Sequence, residues 1–235
     1  MDMVRQVIST SYAKRKQARP FIVAIDGLSG AGKTTLVERL RGISSNELIL
    51  HIDDFIVERH RRYETGQSES MEYYALQWDV KLLVNVLFEP LSRGETRLAL
   101  PYYKRDTDEV VMRTIEIDKD TLILIEGIFL LRDEWRAYFD YIVYLDCPRE
   151  VRYERVLNRD TYIGDLAARL DKYERRYWPG EAHYLKTVKY FRYVFIRNQF
   201  FHNVFSLISD RQQDEAAAMK IRFIKVSPVS SIRAV

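Results

Sequence analysis

Unbroken apolar runs alternate along this chain with stretches whose apolar residues recur every three or four positions. Phe21-Ile22-Val23-Ala24-Ile25, Leu48-Ile49-Leu50, Thr121-Leu122-Ile123-Leu124-Ile125 and Tyr141-Ile142-Val143-Tyr144-Leu145 are the runs. Runs this short without polar alternation predict strands buried on both faces, as in a parallel sheet. Between them, Leu82, Leu83, Val86 and Leu87 predict a helix over residues 79–91, and Val4, Ile8 and Tyr12 form a helical stripe within residues 1–19. Strand and helix in alternation predict a three-layer α/β fold, a parallel five-stranded sheet with helices on both faces. Its fifth strand is expected at 193–196. The segments 97–103 and 110–117 flank Asp106-Thr107-Asp108 as a hairpin. A polar stretch covers 58–74, and a basic helical region, 149–177, is expected to stop at Pro179-Gly180. The hairpin and polar stretch read as insertions in a single domain spanning 1–235. In the 199–235 extension, the alternating segment 221–226 either packs on that domain or mediates self-association.

Composition narrows the function classes. The 235 residues are 47% hydrophobic and 30% charged, as in an ordinary globular chain with room for a large core. Thirty-seven basic residues against 34 acidic ones leave a net charge of +3, without the one-sided basic surface of a nucleic-acid binder. No run is long enough to span a bilayer. A single cysteine, Cys147, excludes an internal disulfide and fits a reducing, cytoplasmic setting. The four histidines show no metal-ligand spacing.

Chemistry enters at Gly27-Leu28-Ser29-Gly30-Ala31-Gly32-Lys33-Thr34, which follows the first predicted strand and opens a helix. This is the order an anion cradle needs. Glycines allow backbone N–H groups to turn toward phosphate oxygens, and the helix N-terminus adds partial positive charge. Gly27, Ser29, Gly30, Ala31, Gly32, Lys33, Thr34 and Thr35 are therefore expected to hold a nucleoside triphosphate. Lys33 would reach its β/γ-phosphates and Thr34 would ligate Mg²⁺.

Ligands of open α/β sheets gather at the carboxyl ends of the strands. Acidic residues end three of the runs: Asp53-Asp54, Glu126 and Asp146. Asp53 is placed to orient an acceptor hydroxyl and take its proton, and Glu126 to assist Mg²⁺. Asp54 and Asp146 read as turn formers or caps. Arg152, Arg155 and Arg159 recur at helical spacing, with Arg169, Arg175 and Arg176 beyond. Arg155 and Arg159 are the candidates to close over the triphosphate, while some of the six only form a solvated helix face paired with Glu150, Glu154 and Glu174.

Together these segments resemble the uridine kinase and phosphoribulokinase branch of P-loop kinases. The resemblance rests on residues 24–36, His51-Ile52-Asp53-Asp54-Phe55, Pro101-Tyr102-Tyr103, Ile125-Glu126-Gly127-Ile128-Phe129, Arg155-Val156-Leu157-Asn158-Arg159-Asp160 and Arg176-Tyr177-Trp178-Pro179-Gly180. It covers roughly residues 20–198, in the family's order. The resemblance implies a P-loop NTPase fold with a helical lid within 149–180. It implies Asp53 as base, Glu126 beside Mg²⁺, and an acceptor lying between the 58–74 stretch, the hairpin and the lid. The expected activity is transfer of the γ-phosphoryl of ATP to a hydroxyl of a small nucleoside-like or sugar-like metabolite, uridine and cytidine first. Two departures stand out. Met71-Glu72-Tyr73-Tyr74 occupies the place of the family's Asp-rich ribose-gripping stretch, and the hairpin offers Lys104, Arg105, Thr107 and Asp108 where uridine kinases carry a histidine. The alternative is a non-catalytic or regulatory nucleotide-binding P-loop protein. A guanine-reading N-K-x-D is missing, Asn158-Arg159-Asp160 being the nearest approach.

Overall fold

In the computed structural model, which describes residues 2–188 and 220–225, the apolar runs pair side by side. They are β1 (Phe21–Gly27), β2 (Glu47–His51), β5 (Leu122–Gly127) and β6 (Tyr141–Asp146), and a further strand, β7 (Lys220–Lys225), joins them in the order β2-β5-β1-β6-β7. The first four are parallel, and β7 runs antiparallel to β6 along its edge. The expected five parallel strands are thus four, with an antiparallel fifth. The physical reason lies in the pattern: the alternating 221–226 segment suits an edge strand, whereas buried parallel strands read as continuous runs. The strand expected at 193–196 falls outside the described residues.

Successive strand residues face opposite layers. Ile22, Ala24, Ile123, Ile125 and Ile142 point to one face, and Val23, Ile25, Leu122, Leu124 and Val143 to the other. The second face is covered by α1 (Asp2–Ala13) through Val4 and Ile8, and by α2 (Lys33–Leu40) through Leu36, Val37 and Leu40. The first face holds a larger, aromatic core that includes Trp78, Phe88, Phe129, Trp135 and Tyr184. Trp135 is fully buried, so its truncation to alanine would cost about 3–5 kcal/mol.

The segments between β2 and β5 build one wall of a cleft. They are α3 (Arg59–Arg62), α4 (Glu69–Leu76), a helical run made of α5 (Val80–Leu83), a π turn (Val84–Phe88) and α6 (Glu89–Arg93), and a hairpin of β3 (Arg97–Lys104) with β4 (Glu109–Glu116). Ser68 and Asp79 cap α4 and α5 by accepting from Met71 and Leu82 N–H groups, which fixes where each helix starts. The opposite wall is α7 (Arg149–Arg159), then α8 (Leu166–Lys172), a π turn (Tyr173–Tyr177) and α9 (Trp178–Thr187). The expected stop at Pro179-Gly180 does not occur. The Trp178 N–H reaches back five residues to the Tyr173 carbonyl, and this widened turn leaves room for the proline in the first turn of α9.

Candidate active site

Parallel register brings the carboxyl ends of β1, β2 and β5 to one edge. His51 lies opposite Glu126, and Asp26 opposite Gly127. The loop leaving β1 curls over this edge. Gly30 has φ 78° and sits so close to α7 that a Cβ there would stand 2.7 Å from the Arg152 carbonyl oxygen. Only glycine accommodates both conditions. Lys33 Nζ donates to the carbonyls of Gly27 (2.9 Å) and Leu28 (3.3 Å), folding back over the loop. Gly32 N-caps α2, leaving Thr34 and Thr35 exposed in its first turn. Ala31 is buried, while Ser29 and Gly30 are half-buried along the loop.

Glu126 is the hub of a polar cluster joining the ends of β2 and β5 to the first turn of α2. Its Oε1 accepts from Thr34 Oγ1 (3.3 Å) and meets His51 Nδ1 at 2.7 Å. A hydroxyl and a carboxylate at this separation suit Mg²⁺, which takes few protein oxygens and completes its shell with water and phosphate. Among the described residues no group of three or more His, Cys, Asp or Glu converges as a metal cage. His51 was passed over in the sequence because only the β2–β5 register reveals its partner.

Asp53 sits in the short 3₁₀ turn Ile52–Phe55 that follows β2. That turn can approach β5 because Gly127 has no side chain: a Cβ there would stand 2.0 Å from Ile52 Cγ2. Asp53 faces the open cleft, but protein surrounds it and raises its carboxyl above the usual range. Glu126 and Asp54 push the same way, and Lys33 and Arg105 oppose them. Asp53, Ser29 and Arg159 line one cleft of about 740 Å³, together with residues of α3, the hairpin tip and the α7–α9 wall.

The arginines divide. Arg155 donates to the Gly30 carbonyl (3.3 Å), which places its side chain against the loop. Arg159 lines the cleft with its side chain 62% exposed and is held by a two-pronged pair with Asp160 (2.6 and 3.1 Å). Arg152 is buried rather than a solvated face. It pairs with Glu181 of α9 at 3.0 Å, and the other Glu181 oxygen accepts the Ser29 N–H at 2.8 Å. Arg176 is fully buried against Glu72 of α4 (3.0 Å), bonds the Arg62 carbonyl (3.0 Å), and lies 4.0 Å from the Tyr63 ring. Arg175 pairs with Asp171 and Glu69.

Two further residues escaped the sequence. Asp26, fully buried at the end of β1, accepts the Gly27 N–H (2.7 Å) and the Tyr184 hydroxyl, with burial pushing its carboxyl up. Tyr184 also accepts the Leu131 N–H (3.1 Å), so α9 is bonded both to the strand and to the loop that follows β5. Position just before the glycine string was the available signal for Asp26. Nothing local marks Glu181 or Tyr184.

Comparison with known proteins agrees with this arrangement. Residues 22–176 match the Phosphoribulokinase / Uridine kinase family. A uridine kinase of Schizosaccharomyces pombe is 28% identical over 173 residues, 70% of this chain but 37% of the relative, so the chain spans about a third of that protein's length. A uridine kinase of Clostridium novyi is 28% identical over 145 residues, 60% of this chain and 69% of the relative. A solved structure described as a possible uridine kinase from Bacillus stearothermophilus superposes with a TM-score of 0.64 and 37% identity, covering 82% of this chain and 96% of that one. With its glycine loop, hub glutamate and cleft aspartate in the positions the motifs require, this chain belongs to the Phosphoribulokinase / Uridine kinase family of P-loop kinases.

Proposed function

We propose that the protein transfers the γ-phosphoryl of ATP to a hydroxyl of a small nucleoside-like or sugar-like metabolite. The observation that carries this reading is a carboxylate, Asp53, set in the same cleft as the phosphate loop, with burial raising it and Lys33 opposing that rise. A protein that only bound nucleotide would have no use for such a base. In the reaction, Asp53 orients the acceptor hydroxyl and takes its proton as the oxygen attacks. Lys33 and the N–H groups of the loop hold the β/γ-phosphates, and Arg159 and Arg155 are the candidates to balance charge as ADP leaves. Thr34 and Glu126 would hold Mg²⁺, which when bound neutralises phosphate charge.

The test is ADP release from ATP and Mg²⁺ across uridine, cytidine, other nucleosides, pantothenate, nicotinamide riboside, free sugars and sugar phosphates. Turnover with one acceptor, abolished in Asp53→Asn while ATP binding stays near normal, is the expected result. Silence across the panel with ATP binding intact would favour a non-catalytic nucleotide-binding protein.

A further inference from the structure

Two arginines of the cleft take no hydrogen-bond or ion-pair partner for their side chains among the described residues. Most cleft cations are occupied. Arg159 is held by Asp160, Lys172 by Glu69 at 3.3 Å, and Arg62 by the Val57 carbonyl and the Tyr103 hydroxyl. Arg59 and Arg105 are different. Both line the cleft, both are exposed, and neither side chain makes a hydrogen bond or ion pair among the described residues.

These two arginines are also not on a free-swinging edge. Asp108, at the hairpin tip, accepts the Arg59 N–H (3.0 Å) and the Tyr103 hydroxyl (2.8 Å), tying the hairpin to α3. Arg105 therefore stands on an anchored turn, close enough to Asp53 to stabilise its carboxylate. On the same side of the cleft, both carboxylates that α4 could offer to sugar hydroxyls are spent elsewhere, Glu69 on Lys172 and Arg175. Glu72 is buried, accepting from Thr65 N (2.7 Å) and Oγ1 (3.0 Å) and from Arg176. Glu64, on the rim, is the remaining acidic residue of the lining besides Asp53 and Asp160.

Resting on the kinase reading above, we infer that the acceptor is an anionic polyol, a small hydroxylated metabolite carrying a phosphate or carboxylate that Arg105 and Arg59 bind while Asp53 engages its hydroxyl. The forked N–H donors of a guanidinium suit the paired oxygens of a carboxylate or of a phosphate, and a neutral nucleoside would leave both arginines unused.

Matched pairs test this: D-ribose with D-ribose 5-phosphate, D-fructose with D-fructose 6-phosphate, and glycerol with D-glycerate. Each would be assayed for turnover with ATP and Mg²⁺, and for binding by calorimetry with ADP and Mg²⁺ present. At least one anionic member is expected to exceed its neutral partner about tenfold or more in kcat/KM or affinity, and which pair does so separates phosphate from carboxylate. Arg105→Ala should lower that advantage about ten- to a hundredfold, and Arg105→Lys should restore part of it. Arg97→Ala, removing the same charge at the far end of the hairpin, should leave the ratio unchanged and so excludes a general charge effect. Neutral members or uridine preferred, no difference within pairs, or indifference to Arg105→Ala would overturn the anionic acceptor while leaving the kinase reading intact. Selective anion binding without turnover of any acceptor would uphold the anion site and count against the kinase reading.

Discussion

The two ends of the cleft are built in different materials. On the proposed reading, the phosphate end is main chain: N–H groups of a glycine loop, fixed between β1 and α2 and braced from behind by Glu181, Tyr184 and Asp26. The end proposed for the acceptor is side chain: Asp53, Arg59, Arg105 and tyrosines carried by a 3₁₀ turn, a four-residue helix and a hairpin tip. A triphosphate is the same for every member of a kinase family, so backbone geometry can read it once and for all. An acceptor varies, and side chains on short elements can be exchanged without disturbing the sheet. Each end nevertheless has its own buried ion pair, Arg152–Glu181 and Arg176–Glu72, which makes the contrast testable.

The largest effect should come from Lys33→Ala. Losing the cation that reaches the phosphates should cut turnover at least about a thousandfold and weaken ATP, read by single-turnover ADP formation and nucleotide titration. Asp53→Asn should cut turnover about a hundred- to a thousandfold with ATP affinity nearly unchanged. Because its surroundings raise the Asp53 carboxyl, and the base works only when ionised, kcat/KM should fall with acid at a pH above the ordinary aspartate value of about 4. Near-normal turnover in Asp53→Asn with every acceptor would remove the base assignment.

The buried pairs sharpen the comparison further. Glu181→Ala and Glu72→Ala each strand a buried guanidinium and should each lower unfolding free energy by about 3 kcal/mol in denaturant titration. Their functional readouts should diverge, with ATP affinity falling in the first and acceptor KM rising in the second. Identical profiles would mean the two ends are one mechanical unit. Smallest of the set, Arg159→Ala should lower kcat about tenfold with little change in ATP binding. No change in kcat would leave Arg159 as no more than the partner of Asp160.

The same contrast decides what could be read from the sequence. Gly27 to Thr34 and the runs at β1, β5 and β6 were legible, since backbone-driven function demands fixed spacing and double-sided burial demands continuous apolar runs. Asp53 and Glu126 followed from ending such runs. The partners were not legible. His51 meets Glu126 through strand register, and Ser29 meets Glu181 across 152 residues of chain, so neither pairing leaves a periodic trace. Pro179 suggested an ending because the π turn that carries the helix past it has no hydrophobic signature. The buried fates of Arg152 and Arg176 were hidden by their helical spacing, which is the same for a solvated arginine.

The brace behind the phosphate loop has a practical consequence for where this protein can be cut. The match to the family model ends at residue 176, yet the groups that hold Ser29 and Asp26 lie just past it, on α9. A chimera or minimal fragment joined at that border would keep the glycine loop, Asp53 and Glu126 and still lose the struts of its own nucleotide cradle. The matched segment and the mechanically complete one have different borders, and a graft that is to bind ATP must carry α9 with it.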